Sequence, residues 1–138
     1  MSSSTDNVLK YAINDAMDVM QARRGGMDMA LTLGFSQAES TKIAVVISEL
    51  GRNIVNYAGA GQITVIASHT VMGRAYVKIV AEDHGPGIAD LDAVLAGGLS
   101  SSGGLGLGIS GSRRMMDEFD IQTAVGKGTR IQTLKWLT

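Results

Sequence analysis

The sequence predicts an α+β fold in which helices pack on one face of a mixed, mostly antiparallel sheet. Three observations carry that expectation. Two pairs of apolar runs, 62–68 with 74–82 and 120–125 with 129–137, are each joined by a short glycine-bearing turn, as antiparallel strands are. Between residues 36 and 57 apolar side chains recur at intervals of three and four, the period of a helix with one buried stripe. The element order is strand, two helices, two strands, two helices, two strands. A doubly wound parallel sheet would alternate instead.

The first strand is expected over 8–13. Asp15 then caps a helix reaching Leu33, with Ala16, Val19, Met20, Met27, Ala30 and Leu31 near helical spacing. Gly25-Gly26 interrupts it. A glycine costs ~1 kcal/mol relative to alanine in a helix, so the pair predicts a kink or close packing on the sheet. Met17, Met20, Met27, Met29 and Met72 are expected mainly as gap-filling core, with an adaptable partner surface as the other reading. Gly34 is a stop signal, and Ser36 with Glu39 forms a capping box for the next helix. That helix is expected to reach about Tyr57, burying Ile43, Val46, Ile47, Leu50, Ile54 and Tyr57, and to end at Gly59 and Gly61. After the strand pair with its turn near Met72-Gly73 come a glycine loop behind Asp83, a short helix at 90–95, a loop over 97–104 and a helix at 105–118. The last two strands flank Gly126-Lys127-Gly128.

At 138 residues and 14.4 kDa, one domain spanning 1–138 is expected, with 1–7 flexible. There is no cysteine, which excludes disulfide frameworks, thiolate metal sites and cysteine nucleophiles. Twelve Lys+Arg against 13 Asp+Glu leave no basic excess to drive non-specific nucleic-acid binding, and no nucleic-acid partner is expected. No leader pattern follows Met1, and no apolar run reaches the ~20 residues of a membrane span. A soluble, cytoplasmic protein with no membrane partner is expected. Eighteen glycines in a chain that is 45% hydrophobic describe a packed domain whose loops bend sharply or bring bare backbone to a ligand.

Four polar features stand out from that frame. Glu49 and Asn53 lie four residues apart, so they stack on one flank of the long helix beside its apolar stripe. A carboxylate there needs a partner such as Arg52, or a cavity to line. Asp83-His84-Gly85-Pro86-Gly87 follows an apolar strand and puts a carboxylate and exposed backbone at the lip of the sheet. Gly103-Gly104-Leu105-Gly106-Leu107-Gly108 opens a helix with four glycines in six residues, leaving unshielded N–H groups that suit phosphate. Gly126-Lys127-Gly128-Thr129 reads first as a hairpin turn.

Other chemistries fail on pattern. Gly128 after Lys127 breaks the P-loop Gly-Lys-Ser/Thr sequence. Gly108-Ile109-Ser110-Gly111 misses the serine-hydrolase elbow by one residue. His69 and His84 share no helical spacing and build no three-ligand metal site. Gly106-Leu107-Gly108-Ile109-Ser110-Gly111 matches a dinucleotide fingerprint, but it follows a loop and no acidic residue lies beyond Asp120.

In this order the four features resemble the boxes of the GHKL (Bergerat) ATP-binding fold, found in gyrase, Hsp90-type chaperones and histidine kinases. Glu49-Leu50-Gly51-Arg52-Asn53 resembles its N box and Asp83-His84-Gly85-Pro86-Gly87 its G1 box. Gly104-Leu105-Gly106-Leu107-Gly108 resembles its G2 box and Gly126-Lys127-Gly128-Thr129 its G3 turn. Each box alone is weak, and four in register are specific. Ile47-Ser48-Glu49-Leu50, Ser100-Ser101-Ser102-Gly103-Gly104-Leu105-Gly106, Met116-Asp117-Glu118-Phe119 and Lys135-Trp136-Leu137 resemble the RsbT-type serine/threonine kinases of the bacterial stressosome in particular.

The resemblance implies a Bergerat-type α/β sandwich and an ATP-dependent protein kinase that uses Mg²⁺. It implies that Asp83 accepts a hydrogen bond from the adenine amine, with Gly85, Gly87 and Thr129 around the base. Asn53 is the implied Mg²⁺ ligand. Ser102, Gly103, Gly104, Leu105, Gly106, Leu107 and Gly108 are the implied cofactor-binding segment, in which the backbone of Gly104, Gly106 and Gly108 holds the β- and γ-phosphates and Ser100 to Gly103 form a mobile lid, and Glu49 is the implied general base. The implied partners are STAS-domain scaffold or antagonist proteins as substrates, and a regulatory phosphatase or other output protein, in a partner-switching stress or sigma-factor pathway. A nucleotide-dependent anti-sigma-type binding module with little kinase activity is the competing reading.

Overall fold

A computed structural model describes residues 6–96 and 105–138. Strands β1 (Asn7–Ile13), β2 (Gly61–His69), β3 (Ala75–Asp83), β4 (Glu118–Ala124) and β5 (Gly128–Trp136) form one sheet in the order β1-β2-β3-β5-β4. All four pairings are antiparallel, so the parallel pair that a mixed sheet would contain is not found among the described residues. The connectivity explains this. After β3 the chain crosses to the far edge, lays down β4, and returns β5 by a hairpin into the gap beside β3. β4 runs in the direction of β3 but never touches it.

Alternate residues of the sheet face the helices α1 (Ala16–Leu33), α2 (Gln37–Asn53), α3 (Leu91–Leu95) and α4 (Leu105–Met115). Ile63 and Val65 of β2, Val77 and Ile79 of β3, and Ile131 of β5 meet Ile43, Ile47 and Leu50 of α2 and Ile109 of α4 in the core. The apolar stripe of α2 is buried as its period predicts, except that Tyr57 is only half-buried.

Local chemistry sets the helix ends. The Asp15 carboxylate accepts the Asp18 N–H at 3.0 Å, and Gly34, at φ 118°, closes α1. The helix runs unbroken through Gly25-Gly26, and the reason is close packing. A Cβ on Gly25 would collide with the Tyr11 hydroxyl, and one on Gly26 with the Ile47 side chain. Met17, Met20 and Met72 are exposed, which corrects the core expectation for these three. The first two lie on the outer face of α1, and the third at the β2–β3 turn.

At the start of α2, Ser36 Oγ accepts the Glu39 N–H at 3.1 Å. The Glu39 carboxylate turns to Lys42 at 3.1 Å and to Lys135 at 3.0 Å. Buried Lys135 also donates to the Met115 carbonyl at 2.9 Å, tying the end of α4 to the start of α2. Bonds from Lys135 and Lys42 hold the Glu39 carboxyl below its ordinary pKa of 4.5. A depressed folded-state pKa stabilises the fold fully above the unfolded value, and the contribution fades as pH falls through the folded one. Glu39→Gln should therefore flatten the loss of stability below about pH 4.5, read as urea midpoints across pH.

Two boundaries differ from expectation. The helix expected to reach Tyr57 is regular to Asn53 and continues as a π-helical turn, Ile54–Ala58, closed by Gly59 N–H on Ile54 O at 2.8 Å. The last helix ends at Met115, not 118, because the sheet claims Asp117. Its N–H bonds Leu134 O at 2.9 Å, and its carboxylate accepts the Trp136 N–H at 2.8 Å.

Candidate nucleotide site

The C-terminal end of β3 opens into a pocket between the sheet and α2. Asn53, Ile54, Tyr57 and Ala58 line one wall, and Asp83, Ile88, Ile109 and Thr129 much of the rest. The π-helical turn matters here. It widens the backbone where Ile54, Tyr57 and Ala58 face the cavity, a place where such turns are often found.

Asp83 ends β3 opposite Thr129 of β5. Its Oδ1 accepts the Gly85 N–H at 2.8 Å, which fixes the carboxylate at the pocket rim and leaves Oδ2 available. Glycine is required twice in the loops around it. Gly87, at φ 76°, packs so closely on the Ala124 carbonyl that a Cβ would overlap it. Gly128, at φ 95°, stands in the same relation to the Asp83 carbonyl. Gly126 N–H bonds Pro86 O at 2.7 Å, so the loop after β3 and the β4–β5 turn form one rim. The turn thus does more than join two strands.

Glu49 and Asn53 meet the start of α4. A Cβ on Gly108 would lie 3.0 Å from Glu49 Oε2 and 3.7 Å from both Asn53 amide atoms. Bare backbone at Gly108 therefore leaves room for these two side chains, of which Asn53 lines the pocket. Glu49 Oε1 pairs with Arg52 at 3.2 Å, so the simple boundary pairing is present as well. Asn53 Nδ2 is buried and lacks a hydrogen-bond partner. A buried amide donor left so costs about 1–3 kcal/mol unless a ligand or water meets it.

The structure thus places Asn53, Asp83, Gly87 and Thr129 in one pocket wall, with Gly85 bonded to Asp83 and with Glu49 and Gly108 beside Asn53. Leu105, Gly106 and Leu107 open α4, and Ser102, Gly103 and Gly104 lie outside the described residues. Tyr57, Ile88 and Ile109 also line the pocket, outside the four boxes. For Ile88 and Ile109 the signal was adjacency to a glycine box. Spacing puts Tyr57 last in the buried stripe, and the π-helical turn redirects it to the pocket.

Residues 38–137 match the family described as histidine kinase-, DNA gyrase B- and HSP90-like ATPases. The chain belongs to this family. Within it, the chain is 48% identical over 120 residues, 87% of its length and 90% of the relative's, to the serine/threonine-protein kinase RsbT of Bacillus subtilis strain 168. That likeness places it with the RsbT-type members and agrees with the expectation of an ATP-dependent kinase. Full-length ShkA, solved in complex with AMPPNP, shares the fold at a TM-score of 0.55 and 19% identity, over 87% of this chain and 29% of that one. The SiaB–SiaC complex of Pseudomonas aeruginosa does so at 0.52 and 13%, over 95% and 89%. β1 and α1 precede the residues that match this ATPase family, yet they are joined to the same sheet and core. Among the described residues, no helix of this family member is long and apolar enough to cross a membrane.

Proposed function

We propose that the protein is a serine/threonine-protein kinase that transfers the ATP γ-phosphoryl group to Ser or Thr of STAS-domain proteins, as a cytoplasmic partner switch. The observation that carries the reading is the juxtaposition of Glu49 and Gly108 with Asn53, which lines a pocket that also holds Asp83. The 48% identity to a serine/threonine-protein kinase supports the same class.

Each residue has a definite task in this reading. The free Oδ2 of Asp83 accepts a hydrogen bond from the adenine amine, while Gly87 and Thr129 shape the edge of the base site. The amide oxygen of Asn53 suits a hard cation, and its buried Nδ2, without a protein partner, is a donor that a phosphate oxygen would satisfy. Among the described residues, no three His, Asp or Glu gather as a cation cage. Mg²⁺ would therefore be held by Asn53 together with phosphate oxygens, where it neutralises charge on the triphosphate. Backbone N–H groups at the start of α4, about Gly106 to Gly108, suit the phosphates. Glu49 takes the proton of the acceptor hydroxyl as its oxygen bonds to the γ-phosphorus and the bond to ADP breaks.

Transfer adds about two negative charges to the substrate surface, which repel a complementary interface and release the kinase for an output partner such as a regulatory phosphatase. Incubation of the purified protein with γ-labelled ATP, Mg²⁺ and a STAS-domain partner should place label on Ser or Thr of the partner. Tight ATP binding without transfer would favour a nucleotide-dependent binding module instead.

A further inference from the structure

Thr123 lies in β4, outside every motif, yet its hydroxyl joins Ile88 and Thr129 of the pocket wall to the Gly128 turn. Oγ1 is 2.9 Å from the Ile88 N, 3.2 Å from the Gly128 carbonyl oxygen and 2.9 Å from Thr129 Oγ1. A threonine hydroxyl has one proton and two lone pairs. The Ile88 N–H can only donate, so it takes one lone pair. The Gly128 carbonyl can only accept, so it takes the proton. What remains on Thr123 is a second lone pair, and the neighbour positioned to use it is the Thr129 hydroxyl.

The arrangement in which all three contacts are hydrogen bonds has Thr129 donating its own proton to Thr123. Toward the pocket it lines, it is left with lone pairs only. Asp83, its cross-strand neighbour, is likewise an acceptor when ionised, with Oδ1 already holding the Gly85 N–H. The two polar side chains at this end of β3 and β5 both present acceptors.

We propose that Thr123 is a positioning residue that sets base preference: by taking the Thr129 proton, it makes this wall favour a purine with an exocyclic amine at C6 over one with a carbonyl there. The inference rests on the nucleotide-binding reading and adds to it a residue that touches no ligand. Without the lock, Thr129 could turn its proton toward a 6-oxo group.

The test is calorimetric titration of ATP and GTP, each with Mg²⁺, into the full chain and its Thr123→Val and Thr123→Ser variants, with thermal melts as folding controls. Valine keeps the volume and removes the hydroxyl, and serine restores it. In Thr123→Val the preference for ATP over GTP should fall about five- to tenfold, the scale of one hydrogen bond, and Thr123→Ser should keep it. Parallel weakening of both nucleotides in Thr123→Val would show a merely structural role and overturn the proposal. So would loss of the preference in a folded Thr123→Ser. Failure of the unaltered protein to bind either nucleotide would overturn the underlying reading, a result distinct from these.

Discussion

Glu49→Ala should lower phosphoryl transfer by about 10²- to 10⁴-fold, the usual contribution of a positioned general base, and leave ATP affinity within about threefold. The geometry separates the two effects. Glu49 Oε2 faces Gly108 and stands beside Asn53, where the triphosphate end of a nucleotide would arrive. The residue does not belong to the wall that holds Asp83 and Thr129. Removing its carboxylate also frees Arg52, but that guanidinium is half in solvent, and exposed ion pairs contribute little to stability. Thermal melts should therefore show a folded variant. Glu49→Gln, which keeps the shape and loses the proton acceptor, should fall with Glu49→Ala. Single-turnover transfer with a saturating STAS-domain partner separates chemistry from product release. Transfer at the unaltered rate in both variants would take Glu49 out of the mechanism.

The parts legible in the sequence were those that local spacing encodes. Glu49 and Asn53 are i and i+4 on a segment whose apolar period is unmistakable, so their shared face was visible without coordinates. Asp83 could be placed because nine residues of strand end at it and glycines follow. The same logic found the β2–β3 and β4–β5 hairpins. It could not find that β5 inserts between β3 and β4, because that order depends on where a crossover of two helices sets down, not on any short window. Nor did it show the π-helical turn, since Ile54–Ala58 keeps helical composition while one bond register changes. Lys135 was read as part of a strand with no hint of burial, because its partners, Glu39 and Met115, are both remote in sequence. Thr123 was missed for a different reason. Thr129 was already in view, but the contact that matters spans a glycine turn and a loop 35 residues earlier.

Asp83→Asn should weaken ATP binding by about tenfold to a hundredfold, the scale of one hydrogen bond to a charged acceptor. The asparagine carbonyl oxygen can replace Oδ1 as acceptor for the Gly85 N–H, so the turn behind β3 survives and the fold should melt near the unaltered temperature. In that orientation the amide NH₂ takes the place of Oδ2. A donor then meets the donor of the adenine amine, and neither hydrogen bond nor charge attraction remains. Because the change acts on binding and leaves Glu49 in place, transfer at saturating ATP should recover much of its rate, the reverse of the Glu49→Ala pattern. Calorimetric titration reads the affinity directly. An unchanged ATP titration in a folded Asp83→Asn protein would remove Asp83 from the base site, while the Glu49 prediction would still stand on its own.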